Sequence, residues 1–198
     1  MLAERHRDVY LSAQETQALV HALDREPDRD AAAALMLLLL TGARKSEVLN
    51  ARWEHVDLHR SLLTVPRSKS GRTRHIPLSP LAVQVIVHQH QRHRPGGDGG
   101  WVFPGKGVGK AREDLRGPWK RAKVAAGLLP DTRIHDLRHS FASALANEGV
   151  PLNEIGVILG HSQLATTARY AHHAPQRLVE TATVAARAWK LVEGPGVE

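Results

Sequence analysis

Ten consecutive apolar residues, Ala31 to Leu40, constrain this 198-residue chain more than any other feature. A helix that is apolar on every side must be surrounded by other elements, so this segment is predicted to run through the centre of the core. Asp28 or Asp30 can cap its start, and Gly42 marks its end. The run is about half of what a membrane span needs, so the chain is read as having no membrane association. No apolar signal-peptide core follows Met1 to Arg7. The length suits one domain with a sizeable core. An absence of cysteine excludes a disulfide scaffold, a thiolate metal site and a cysteine nucleophile.

Around that helix the periodicity predicts an α+β chain, mainly α-helical with a small three-stranded antiparallel sheet. Ser12-Ala13-Gln14-Glu15 has the form of a capping box and opens a helix over 12–25. Short β-prone runs at Trp53 to Val56, Leu62 to Val65 and Arg74 to Pro77 are split by turn-like segments and predict a meander. Helical spacing returns at Leu81 to Arg92, and Pro95 to Gly100 reads as a flexible loop. Further helices are expected at about 111–126, 135–148, 152–159, 163–171 and 175–191, before a disordered 192–198. No internal repeat or domain-dividing linker is present.

The charge is uneven. Lys and Arg number 27 against 20 Asp and Glu, a formal net charge of +7, and the forty residues from Leu58 to Gly97 contain no carboxylate. That stretch carries Arg60, Arg67, Lys69, Arg72, Arg74, Arg92 and Arg94. A single-sign face predicts contact with a polyanion, nucleic acid first, although a sheet edge blunted by positive charge has the same composition.

Several fragments hold groups capable of chemistry. Tyr170 is one of two tyrosines and lies nine residues after His161. In His135-Asp136-Leu137-Arg138-His139, helical spacing puts His135 and Arg138 on one face, and Arg44 and Glu47 share a face in the same way. Singly, each has an ordinary structural account. Arg44 and Glu47 can be a surface ion pair, Arg138 a stem over apolar surface, His161 a helix-end residue and Tyr170 a core aromatic. His88, His90 and His93 are read as part of a solvated helix near nucleic acid, since no Asp or Glu is close in sequence. Trp101 to Pro104 is read as core.

In this order and spacing, the fragments resemble the tyrosine recombinase (phage integrase) family. The likeness rests on Thr-Gly-Ala-Arg-Lys-Ser-Glu at 41–47 and Ser-Lys-Ser-Gly-Arg-Thr-Arg-His-Ile-Pro-Leu at 68–78. It continues through His-Asp-Leu-Arg-His-Ser-Phe-Ala at 135–142, Leu-Gly-His-Ser at 159–162 and Thr-Thr-Ala-Arg-Tyr at 166–170. The resemblance implies 1–10 as an N-terminal linker remnant, 11–178 as the catalytic domain, and 179–198 as a C-terminal helix and tail.

It also implies DNA strand cleavage and rejoining in site-specific recombination, as an integrase of a phage or other mobile element. Tyr170 matches the nucleophile that forms a 3′-phosphotyrosyl intermediate. Arg44 and Arg138 match the two phosphate-holding arginines, and His135 and His161 the pair of imidazoles. Lys69 matches the general acid toward the leaving 5′-oxygen. Glu47 matches a buttressing acid, and His139 is expected to pack or contact the site indirectly. Arg67, Arg72 and Arg74 are expected to bind DNA. No metal, cofactor or ATP is implied. The implied partner is double-stranded DNA, on which a chain monomeric when free becomes a tetramer. The implied location is the bacterial cytoplasm, at the nucleoid.

Family members carry an N-terminal DNA-binding domain, and only ten residues precede Leu11, so the chain is expected to be an excised catalytic domain or a natural short form. Its DNA binding should be weak and strongly salt-dependent. The helix expected from Pro175 to Leu191 is apolar on one face, which fits either packing at home or docking on a neighbouring protomer. Other readings are a type IB topoisomerase, a non-catalytic DNA-binding relic, and a metal-dependent nuclease.

Overall fold

The computed structural model describes residues 10–66, 73–93 and 100–160. The first helix, α1 (Ala13–Asp24), starts where the sequence predicts: the Ser12 hydroxyl accepts from the Glu15 amide at 3.2 Å, and the Glu15 carboxylate accepts from the Ser12 amide at 2.8 Å. These reciprocal bonds satisfy amides that the first turn cannot pair internally.

Helix α2 (Arg29–Thr41) contains the apolar run, and eight of its residues are buried. Asp28, rather than Asp30, caps it, accepting from the Ala31 amide at 3.0 Å. Gly42 ends it at φ +60°. A Cβ at Gly42 would stand 2.5 Å from Phe141 Cδ1 and 2.8 Å from Leu159 Cδ2, so both the backbone and the packing need glycine there. The short α3 (Lys45–Leu49) follows.

The sheet is an antiparallel meander of β1 (Val56–Asp57), β2 (Leu62–Val65) and β3 (Arg74–Pro77), with Leu63 opposite Ile76 and Val65 opposite Arg74. The strand expected at Trp53 to Val56 is instead a 3-10 turn over Trp53–His55 leading into β1. The Trp53 amide bonds the Gly100 carbonyl at 2.8 Å, which turns the chain before pairing with β2 begins.

Helix α4 (Pro80–Arg92) packs on α2, and its Gln89 is fully buried, bonding Asp30 and the Val102 carbonyl at 3.0 Å each. Val102 and Phe103 are fully buried, as expected of core. Helix α5 (Arg116–Ala125) starts five residues later than its periodicity predicts. Pro104 and Ala111 form an antiparallel bridge, and the Arg112 amide bonds the Phe103 carbonyl at 2.8 Å. These contacts hold the preceding segment in a closed loop.

Helix α6 (Asp136–Asn147) packs on α2, and α7 (Leu152–Leu159) packs on α6 and reaches β3. A second small core, centred on Ala142, Ala146, Ile155 and Leu159, joins α6 to α7. The result is α+β: seven helices and a three-stranded antiparallel sheet among the described residues. None of these helices is long and apolar enough to cross a membrane. The helices expected at 163–171 and 175–191 lie outside the described residues, as does most of the loop expected over 95–100.

Candidate active site

Helix α7 ends at Gly160 in the left-handed conformation (φ +67°), so its last carbonyls have no partner within the helix. Three arginines from three different elements take them. Arg74 on β3 donates to the Ile158 carbonyl through Nη2, and Arg138 on α6 donates to the Leu159 carbonyl at 2.8 Å. Arg44, at the start of α3, donates to the Gly160 carbonyl at 3.4 Å. Positive charge at this end of a helix is favoured by its dipole.

A single carboxylate serves two of these guanidiniums. Glu47 accepts from Arg44 Nη1 at 2.9 Å and from Arg74 Nη1, and it also accepts from the Arg44 amide at 2.8 Å. Burial pushes the Glu47 carboxyl upward and is the largest single influence. The Arg44 amide and the two guanidiniums together outweigh it and hold the group below the usual carboxylate value. Glu47 therefore carries its charge inside the protein.

The three arginines differ in access. Arg44 keeps 26% of its side chain exposed, whereas Arg74 and Arg138 are buried. Arg138 also donates to the Gly42 carbonyl at 2.7 Å, which ties the end of α2 to α6. With His135, Lys45, Ala43, Leu38 and Ile134, it lines a cavity of about 160 Å³. His135 is exposed, and its ring meets that of His139 edge-on, with centroids 5.0 Å apart and planes at 88°.

The structure thus brings Arg44, Glu47 and Arg138 together at the end of α7, and it sets His135 beside Arg138 on the same cavity. Lys69, His161 and Tyr170, with Arg67 and Arg72, lie outside the described residues. Arg74, expected to contact DNA, is 8% exposed and donates to the Glu47 carboxylate and the Ile158 carbonyl. The alternation of β3 carries the signal, because Arg74 lies two residues before the fully buried Ile76, on the same strand face.

The single-sign stretch is likewise not single-sign in space. Arg60 pairs with Asp57, Arg74 with Glu47 and Arg92 with Asp30, each carboxylate coming from outside it. His93 also pairs with Asp30, at 2.8 Å, and His90 packs edge-on against Trp53. The α4 histidines are therefore partly committed to the protein rather than simply solvated. No three of His, Asp and Glu gather as a metal site among the described residues.

A core helix ringed by others, a small antiparallel meander and a guanidinium cluster around one carboxylate make up the framework of this domain. The chain belongs to the phage integrase family, whose model matches residues 9–177. It is 33% identical over 158 residues to the integrase of Salmonella phage P22, covering 73% of this chain and 39% of that protein. It is 35% identical over 186 residues to the tyrosine recombinase XerD of Vibrio vulnificus, covering 89% of this chain and 57% of the relative. The chain therefore spans about two-fifths to three-fifths of the length of these relatives.

Among solved structures, the fold is similar to the catalytic domain of bacteriophage HP1 integrase. That match has a TM-score of 0.66 and 26% identity, and covers 88% of this chain and 94% of that one. It is also similar to XerA recombinase, with a TM-score of 0.71 and 28% identity, covering 88% of this chain and 64% of that one.

Proposed function

We propose that this chain cleaves and rejoins DNA strands as the catalytic domain of a site-specific recombinase or integrase. The observation that carries this reading is the meeting of Arg44 and Arg138 at the end of α7. His161 follows that end directly in sequence, and Tyr170 follows nine residues later. Two planar, permanently charged guanidiniums suit the non-bridging oxygens of one phosphate, and they offset the charge that develops as phosphorus becomes five-coordinate.

The Tyr170 hydroxyl attacks phosphorus and forms a 3′-phosphotyrosyl bond, while the bond to the 5′-oxygen breaks. A tyrosine with a pKa near ~10 is neutral at pH 7, so its proton passes to an imidazole, His135 or His161. The leaving 5′-oxygen takes a proton from the Lys69 ammonium. Rejoining is the reverse, with the 5′-hydroxyl as nucleophile. The phosphotyrosyl bond keeps the phosphodiester energy, so no nucleotide hydrolysis is required. In this reading arginine and lysine supply the charge that a metal ion supplies in other phosphoryl-transfer sites. Glu47 orients Arg44, and Arg67 and Arg72 contact DNA phosphates near Lys69. The partner is double-stranded DNA, on which the protein works as a tetramer.

Wild type and Tyr170→Phe are incubated with nicked duplexes carrying randomised centres, and detergent-resistant adducts are isolated and sequenced. Adducts from wild type alone are expected. Equal adducts from Tyr170→Phe would remove the nucleophile assignment. A relaxation assay on supercoiled plasmid lacking the recovered sequence separates this reading from a type IB topoisomerase, which would relax it.

A further inference from the structure

We propose that Arg74 is a positioning residue for strand cleavage: it sets the end of α7 against the Arg44–Glu47 pair, and it makes no contact with DNA. This rests on the function proposed above and extends it to a side chain that the sequence places among DNA-facing cations. Its two Nη atoms are committed to different elements, one to the Glu47 carboxylate on α3 and the other to the Ile158 carbonyl on α7. Both partners adjoin the two arginines proposed to hold the phosphate: Glu47 also holds Arg44, and Arg138 grips the next carbonyl, that of Leu159.

The stem of Arg74 passes directly under the end of α7. A Cβ built on Gly160 would lie 2.5 Å from Arg74 Cδ, so glycine leaves room for the arginine as well as adopting φ +67°. Arg74 Nε is buried with no hydrogen-bond partner among the described residues, so packing and the two Nη bonds hold the side chain. A guanidinium can span the two partners with one rigid fork. An ammonium is a point donor and cannot hold both in the same geometry. The arrangement registers Arg44, Arg138 and the chain entering His161 against one another, the kind of alignment in which a 1 Å error costs roughly 10²-fold in rate.

The test uses the full chain and one nicked duplex recovered from wild-type adducts. Wild type, Arg74→Lys and Arg74→Met are each raised to saturation, and the single-turnover rate of covalent attachment is followed at several salt concentrations. The expected result for Arg74→Lys is a half-saturating concentration and salt slope at the wild-type level, with the rate at saturation lowered roughly 10- to 10²-fold. Arg74→Met is expected to fall at least as far. Melting curves establish that each variant is folded; if Arg74→Met is not, Arg74→Lys, which keeps charge and stem, decides.

A wild-type rate at saturation in Arg74→Lys overturns the proposal, as does a loss confined to the half-saturating concentration and salt slope, which would return Arg74 to phosphate contact. Unfolding of both variants overturns it too, because Arg74 would then serve the whole domain. A wild type that forms no adduct overturns the functional reading itself.

Discussion

Arg138 and Gly42 lie 96 positions apart, and the guanidinium of one donates to the carbonyl of the other at 2.7 Å. With its second bond, to Leu159, Arg138 joins the ends of α2 and α7 from the start of α6. The same side chain is a structural tie in the fold, and the proposed chemistry asks it to hold the phosphate as well. Arg44, partly exposed and held by Glu47, carries less of the fold.

That difference separates the two alanine variants. Arg138→Ala leaves two buried carbonyls without their donor, at ~1–3 kcal/mol each, so a clear loss of stability is expected in urea unfolding. Arg44→Ala is expected to stay within ~1 kcal/mol of wild type. In single-turnover cleavage, both should lose ~10²–10³ in rate or more, the scale of a lost charge-stabilising donor.

Glu47 makes stability depend on pH in a predictable direction. Its carboxyl is held below the ordinary value of 4.5 in the folded chain, so the unfolded chain binds its proton first as pH falls. The stabilisation is fully present above pH 4.5 and is lost as pH drops through the folded value. Glu26 behaves alike, held low chiefly by the Arg121 guanidinium. Melting temperatures between pH 7 and 3 should decline below about pH 4.5. Glu47→Gln should flatten that decline while lowering stability at pH 7 by ~3–5 kcal/mol, because Arg74 is left buried without its partner.

Gly42→Ala is expected to destabilise by more than ~2 kcal/mol. The left-handed backbone alone costs an L residue ~1–2 kcal/mol, and the added methyl must displace Phe141 or Leu159. Gly127→Ala is the control: it has a similar φ of +66° with nothing within 4 Å of the added atom, so it should show only the backbone cost. Chemical denaturation of the two variants checks the difference.

DNA affinity should fall linearly on a log–log plot against salt. Arg67→Ala and Arg72→Ala are each expected to reduce that slope by ~1, the contribution of one neutralised phosphate. Fluorescence anisotropy at 50–300 mM salt measures it, and unchanged slopes in both variants would remove these two arginines from the interface.

The residues themselves announced the central helix, the capping box at Ser12, two of the three strands, and the motif fragments that mark the family. All of these are local signals: an all-apolar run, an Asp at a cap, an alternation, a spacing of three. Each arises because backbone hydrogen bonding and side-chain periodicity act within a few positions.

What tertiary structure alone decided is which charges meet. In sequence, the forty residues after Asp57 look free of carboxylates, yet Glu47 and Asp30 reach into that stretch from α3 and α2. Arg74 looked like one more surface cation, until the pairing of β3 with β2 turned it inward and the end of α7 closed over it. Likewise, no local rule says that the carbonyls of residues 158, 159 and 160 will be taken by arginines from β3, α6 and α3. Electrostatic energy depends on distance through space, and only the packing of α2 against α4 and α6, and of α7 against α6 and β3, sets those distances.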